Sequence, residues 1–374
     1  MTLDALALTR KLLGFKTVNP PGDERSCAQF LGKLLEDAGF QTSYHEFADR
    51  RTTLVAKTAG GGGKLPICFT GHLDTVPLGG VDWTHEPFAG ETDGDKLFGR
   101  GSSDMKSGVA AMVLMALGLA EAKNRHADIT LLLTAGEETN CEGAAYVAGL
   151  NGALGKVGAI IAGEPSGNVP YIAHMGCLRY TAKFHGVAAH ASMPDQGVNA
   201  IYQAAEALRK LAKFEFATAP HSFLGKATLA VTMMSGGTAI NMIPANATIS
   251  MDIRTLPGQT EADIRRQLQS ALGDGVELNL LQGAASVATD EKHEWVQQVF
   301  GIMENLTGAQ SVPTGATYFT DCSVLTPALG NPPTIILGPG EPTMAHKTDE
   351  FCYLPKIGLA VEAYTAIARR WCEV

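Results

Sequence analysis

The sequence predicts an α/β domain on a mixed, largely parallel sheet flanked by helices, interrupted by a smaller α+β insertion. Three observations carry this. Apolar runs of strand length lie at 53–56, 67–70, 129–133 and 158–162, with a long helical segment at 106–122 between the second and third. From about Gly176 the pattern shifts to alternating strands and amphipathic helices, and near residue 290 the first pattern resumes. The 374 residues, 45% of them apolar, also exceed the roughly 250–300 at which single cores divide.

In chain order, residues 3–14 place apolar side chains at helical spacing. "PPGDERSCAQFLGKLLEDAGF" reads as a Pro-Gly entry, an acidic first turn, an apolar stripe and a stop at Gly39. "AGGGGK" at 59–64 reads as a flexible hairpin. "VAAMVLMALGLA", inside the 106–122 helix, is apolar nearly all round and therefore predicted to be buried. In the insertion, "CLRYTAKFHGV" alternates, "GVNAIYQAAEALRKLAKF" and "TEADIRRQLQSAL" are amphipathic helices, and "ATLAVTMMSGG" and "NATISMDIRTL" are strand-like. At about 110 residues that unit is large enough to fold as its own domain. A helix at 294–307, the strand "TIILG" at 334–338 and a closing helix from 355 complete the chain. The expected division is 1–175 and 288–374 for the first domain and 176–287 for the insertion.

A net charge of −9, 18% charged residues and no block of like charge argue against a nucleic-acid groove or a polybasic membrane patch. Seven scattered cysteines without a C-x-x-C pair form neither a disulfide framework nor a zinc ribbon. "MTLDALALTRKLLGFKT" has the reverse order of a secretory signal, and no apolar run reaches membrane-span length. A cytoplasmic small-molecule enzyme is expected. Two nucleotide motifs fail: Thr58 and Leu65 break a P-loop around the glycine run, and Asp104 stands where "GRGSSD" would need its third glycine.

What remains is a set of polar residues at predicted strand ends. "GHLDTVP" follows the strand "PICFT", so Asp74 could take the second ring N–H of His72. Asp104 precedes the buried helix, where alone it could equally be an N-cap. Glu138 in "TAGEET", Glu164 in "IIAGEPSG" and His346 in "GPGEPTMAHKTDE" follow the next strands. Acids and imidazoles gathered at one sheet edge are costly unless paired or metal-bound. Two His and three carboxylates without Cys suit zinc, cobalt or manganese. One ion could take His72 and Glu164, another Glu138 and His346, with Asp104 bridging. Two divalent ions would offset three carboxylates and a hydroxide.

These motifs, together with "GVAAHASMPDQGVNAI" and "GGTAINMIPANATISMDIRTLPG", closely resemble, in order over most of the chain, the acetylornithine deacetylase, succinyl-diaminopimelate desuccinylase and glutamate carboxypeptidase family of dinuclear zinc hydrolases. The resemblance implies a zinc-exopeptidase-like catalytic domain with a ferredoxin-like lid that also forms a homodimer interface. It implies two Zn2+, for which Co2+ can stand in, held by His72, Asp104, Glu138, Glu164 and His346. Glu137 is implied as general base, a division of labour expected if the doublet closes its strand, where adjacent side chains point different ways and only Glu138 enters the metal shell; a cis peptide is implied after Asp104. His190 is implied to stabilise the tetrahedral oxyanion in a partner's site, though alone it reads as a core or surface histidine. Arg254 and Asn241 match positions that bind a substrate carboxylate, and each could instead be a structural strand-end residue. Two departures stand out: Met175 where many members have Lys, and Cys322 where Ala is common.

The implied activity is removal of an N-acyl group from a small amino-acid derivative, closest to acetylornithine deacetylase. Succinyl-diaminopimelate desuccinylase, aminoacylase and a glutamate carboxypeptidase-type peptidase on dipeptide-like substrates are alternatives. A non-catalytic metal-binding relative is the alternative of another class.

Overall fold

The computed structural model describes residues 4–122 and 124–374; residue 3, where the first predicted helix begins, lies outside them. The chain divides into two compact units. One comprises the chain up to Ala173 with Ala288–Ala316 and Thr320–Val374, the other His174–Val287 with Thr317–Phe319.

The first unit is built on a six-stranded sheet in the order Gln41–Ala48, Arg51–Lys57, Ile129–Thr134, Ile67–His72, Ala159–Ala162, Thr334–Ile336. The last four run parallel, and the Gln41–Ala48 hairpin arm and Arg51–Lys57 are antiparallel additions. Ile67–His72 and Ile129–Thr134 are buried at every residue, as continuous apolar strands covered on both faces must be. The helix Ser107–Leu119 covers the sheet with residues such as Val109, Met112 and Val113, each fully buried. The C-terminal helix Leu354–Cys372 packs beside it and sets Tyr364 against Phe69 at 5.5 Å between ring centroids.

Two local expectations are corrected. Gln41–Ala48 is a strand that the sequence reading passed over, because its side chains alternate between exposed and half-buried and offer no apolar run. The glycine run is a crossover rather than a hairpin. Arg51–Lys57 and Ile67–His72 flank Ile129–Thr134 from opposite sides instead of pairing with each other. Gly61 passes so close to the 127–128 backbone that a Cβ there would lie 2.5 Å from the Ala127 carbonyl carbon.

The second unit follows the order strand Gly176–His185, helix Ala200–Leu211, strands Thr228–Gly236 and Asn246–Thr255, helix Glu261–Leu272, strand Glu277–Ala284. The four strands form an antiparallel sheet ordered 228–236, 246–255, 176–185, 277–284. That is a ferredoxin-like arrangement. Ala204, Leu211, Ile264 and Leu268 of the helices pack on Tyr180, Phe184, Ile249 and Ile253 of the sheet.

Candidate metal centre

Five of the predicted site residues converge at the carboxyl edge of the parallel strands in the first unit. His72 closes its strand, and its Nε2 lies 3.1 Å from Asp104 Oδ1 and 3.7 Å from Glu164 Oε2. His346 Nε2 lies 3.4 Å from Asp104 Oδ2 and 3.1 Å from Glu138 Oε2. Two donor groups result, His72–Asp104–Glu164 and Asp104–Glu138–His346, with the donor atoms in each within 4.8 Å of one another. Asp104 belongs to both. A tetrahedral ion with ligands at about 2.0–2.1 Å spaces them about 3.3 Å apart, so nitrogen and oxygen donors 3.1–3.7 Å apart fit a pair of divalent cations. The peptide after Asp104 is cis, as the resemblance implies.

Glu137 and Glu138 are positioned differently from expectation. The strand ends at Thr134, Gly136 turns the chain with φ 77°, and the doublet opens the short helix Glu137–Asn140. The two carboxylates therefore diverge by the rotation between helix neighbours, not by strand alternation. Glu138 enters the second donor group, while Glu137 is 6% exposed beside it.

Asp74 also departs from its expected contact. The His72 ring nitrogen Nδ1 lies 3.0 Å from the backbone carbonyl of Asp74 and 3.6 Å from its carboxylate. The carboxylate instead accepts the backbone N–H of Glu137 and of Glu138, each at 3.2 Å, and the Asn19 amide at 2.8 Å. It orders the doublet's turn, while its main chain fixes the histidine. Asn19 is a partner the sequence reading missed, far from the doublet in sequence and in no motif. Asp321 is another: buried, it accepts the Thr134 hydroxyl at 2.5 Å, and only its neighbour Cys322 drew notice. Cys322 itself is fully buried.

Six carboxyl groups share this buried neighbourhood, and their electrostatics reflect it. Burial pushes Glu164 up to about 7 and Asp321 up to about 6. Burial and then Glu164 raise Glu137 well above the usual carboxylate range. Hydrogen bonds to Asp104 and Glu138 hold His346 up at about 10. Burial opposes ionisation of Asp104, yet His346 and His72 hold it below its ordinary value. Without cations, such a cluster must retain protons; divalent ions are the natural counter-charge.

The remaining predicted residues belong to the second unit. His190 lies in the strand Ala189–His190, which pairs antiparallel with Met242–Ile243. It is exposed, and its Nδ1 accepts the Ser192 backbone N–H at 3.2 Å, which leaves Nε2 as the donor. Asn241 lies alongside, its carbonyl accepting the Ala191 N–H at 3.0 Å. Arg254, on the strand Asn246–Thr255, donates from Nε to Asp252 at 2.8 Å. Met175 is buried, 3% exposed.

A parallel-sheet edge with these paired donor groups and a buried free acid beside them makes the protein a metal-dependent hydrolase. It belongs to peptidase family M20/M25/M40, whose profile matches residues 68–370. The chain is 28% identical to a probable succinyl-diaminopimelate desuccinylase of Staphylococcus epidermidis, covering 99% of this chain and 98% of that one. It is 30% identical to an acetylornithine deacetylase of Klebsiella pneumoniae, covering 93% and 91%. Among solved structures, an M20 family metallo-carboxypeptidase from Sulfolobus solfataricus aligns with a TM-score of 0.81 at 16% identity, over 99% of this chain and all of that one. A dinuclear metal-binding M20 peptidase from Bacillus subtilis aligns with a TM-score of 0.72 at 18% identity, over 99% and 98%. Among the described residues no helix is long and apolar enough to cross a membrane.

Proposed function

We propose that this chain is a di-zinc amidohydrolase that removes the acyl group from a small N-acyl amino acid, closest to acetylornithine deacetylase. The supporting observation is the pair of donor groups that share Asp104, with buried Glu137 next to them. His72, Asp104 and Glu164 would hold one cation and Asp104, Glu138 and His346 the other. Bound there, the cations would polarise the scissile carbonyl and acidify water.

Glu137 takes a proton from the attacking water as its oxygen bonds to the amide carbon. It then delivers that proton to the leaving nitrogen as the C–N bond breaks. Asp74 keeps Glu137 oriented through its backbone N–H. His190 Nε2–H is the donor assigned to the oxyanion, acting in the site of a partner subunit, and Arg254 with Asn241 would bind the substrate carboxylate.

A homodimer through the inserted unit is part of this reading. The strand Thr228–Gly236 is an edge of its sheet and presents Met233 and Met234, 70% and 43% exposed. The seven cysteines are free, buried thiols, which suits the reducing cytoplasm. Desuccinylation is the second reading, favoured by a relative of that name that matches nearly the whole chain.

The test is a hydrolysis screen of acetyl, succinyl, formyl and aminoacyl derivatives of several amino acids, with zinc and with cobalt, before and after chelation. Metal-dependent cleavage of an acetylated amino acid is expected. Preferred cleavage of succinyl substrates would move the assignment to desuccinylase, and two bound metals without turnover on any substrate would sink the enzymatic reading.

A further inference from the structure

Asp104 must be placed for both donor groups at once, yet its own segment is irregular, with φ −119° and ψ 92° at Asp104. The segment is instead held by a carboxylate from the far end of the chain. Glu350, fully buried, accepts the backbone N–H of Gly101 at 2.9 Å, of Ser103 at 2.8 Å and of Asp104 itself at 2.9 Å.

Its remaining partner is Arg100, 1% exposed, which donates from Nη1 at 2.7 Å. The same guanidinium donates to the carbonyls of Lys347 at 3.2 Å and Pro77 at 3.1 Å. Lys347 follows His346 directly, and Pro77 lies on the loop that leaves His72. One buried ion pair is therefore tied to the segments of three donors: His72, Asp104 and His346. An ion pair serving stability alone has no need to spend three acceptor contacts on the amides of a single ligand loop.

We propose that Arg100 and Glu350 are positioning residues that fix Asp104 between the two cation pockets and so set how tightly the cations are held. Outer partners of metal ligands typically contribute about 10–100-fold to metal affinity. Glu350→Gln turns an acceptor into a donor facing backbone N–H groups, and Arg100→Lys loses the planar fork that reaches three acceptors. The proposal rests on Asp104 acting as the shared ligand.

The experiment titrates Co2+ into the metal-free 374-residue chain, followed by visible absorption in competition with a chelator. The melting temperature of each metal-free form is measured separately. Wild type is expected to bind two Co2+, and both variants to bind them about 10–100-fold more weakly. A purely structural pair would lower the metal-free melting temperature and leave affinity per folded chain at the wild-type value, and that result overturns the proposal. Where neither variant folds, hydrogen exchange on metal-free wild type decides. Protected amides at Gly101, Ser103 and Asp104 support a cradle formed before the metal arrives, and exchange at unprotected rates overturns it. A wild type that binds no Co2+ overturns the metal reading and this proposal together. Two-Co2+ wild type with unchanged variants overturns the positioning role alone.

Discussion

The Asp74 carboxylate accepts the backbone N–H of Glu138 at 3.2 Å, and its other oxygen accepts that of Glu137 at the same distance. One acid thus holds the turn that presents two others. Asp74→Asn puts an amide donor where an acceptor is needed, against the N–H groups and the Asn19 amide. It should lower kcat by about 10–100-fold, the range for loss of a ligand's supporting partner. Steady-state kinetics with metal content measured in parallel checks this, and wild-type turnover would mean that the turn holds itself.

Glu137 has no place in either donor group, although it adjoins one. Glu137→Ala should therefore keep two metals and lose turnover by about 100-fold or more, the scale of a general base. Loss of metal in this variant would move Glu137 from the base to the ligands.

His190 belongs to the inserted unit. His190→Ala should lower kcat by about 100-fold, as removal of an oxyanion donor does, with metal content unaltered. Kinetics indistinguishable from wild type would remove His190 from the reaction.

Glu24 supplies a pH-dependent term outside the metal centre. It is fully buried and pairs with Arg51 Nε at 2.9 Å. Burial first, and Asp74 second, nevertheless push its carboxyl up from 4.5 to about 7. Between those values the folded chain keeps a proton that the unfolded chain has released, so stability falls as pH rises through the window and levels off above it. Glu24→Gln lacks this titration. The wild-type melting temperature should thus decline relative to that of Glu24→Gln between pH 5 and pH 7, and a constant difference would refute the assignment.

The apolar strands and the all-round apolar helix Ser107–Leu119 were legible because burial on every side leaves a continuous hydrophobic signature. The strand Gln41–Ala48 was not, since a half-exposed edge hairpin needs no such run. The same contrast divides the site. His72, Asp104, Glu138, Glu164 and His346 announce themselves as polar residues that flank apolar segments. Asn19 and Asp321 act through contacts across 55 and 187 positions of sequence, and nothing local marks them; Arg100 and Glu350 lie inside "GRGSSD" and "GPGEPTMAHKTDE", but neither segment shows that they pair across 250 positions. The divergence of Glu137 and Glu138 was anticipated from strand geometry, but Gly136 had already turned the chain into a helix. A glycine after a strand could have carried that signal.

The donors are also spread unevenly along the chain. His72, Asp104, Glu138 and Glu164 precede the inserted unit, whereas His346, with Glu350 behind it, follows that unit. During synthesis, which runs at about 5–20 residues per second, one complete donor group and most of the acidic cluster emerge well before the last histidine. His346 therefore emerges about 10–35 s after Glu164, and the second donor group can close only when that final segment arrives.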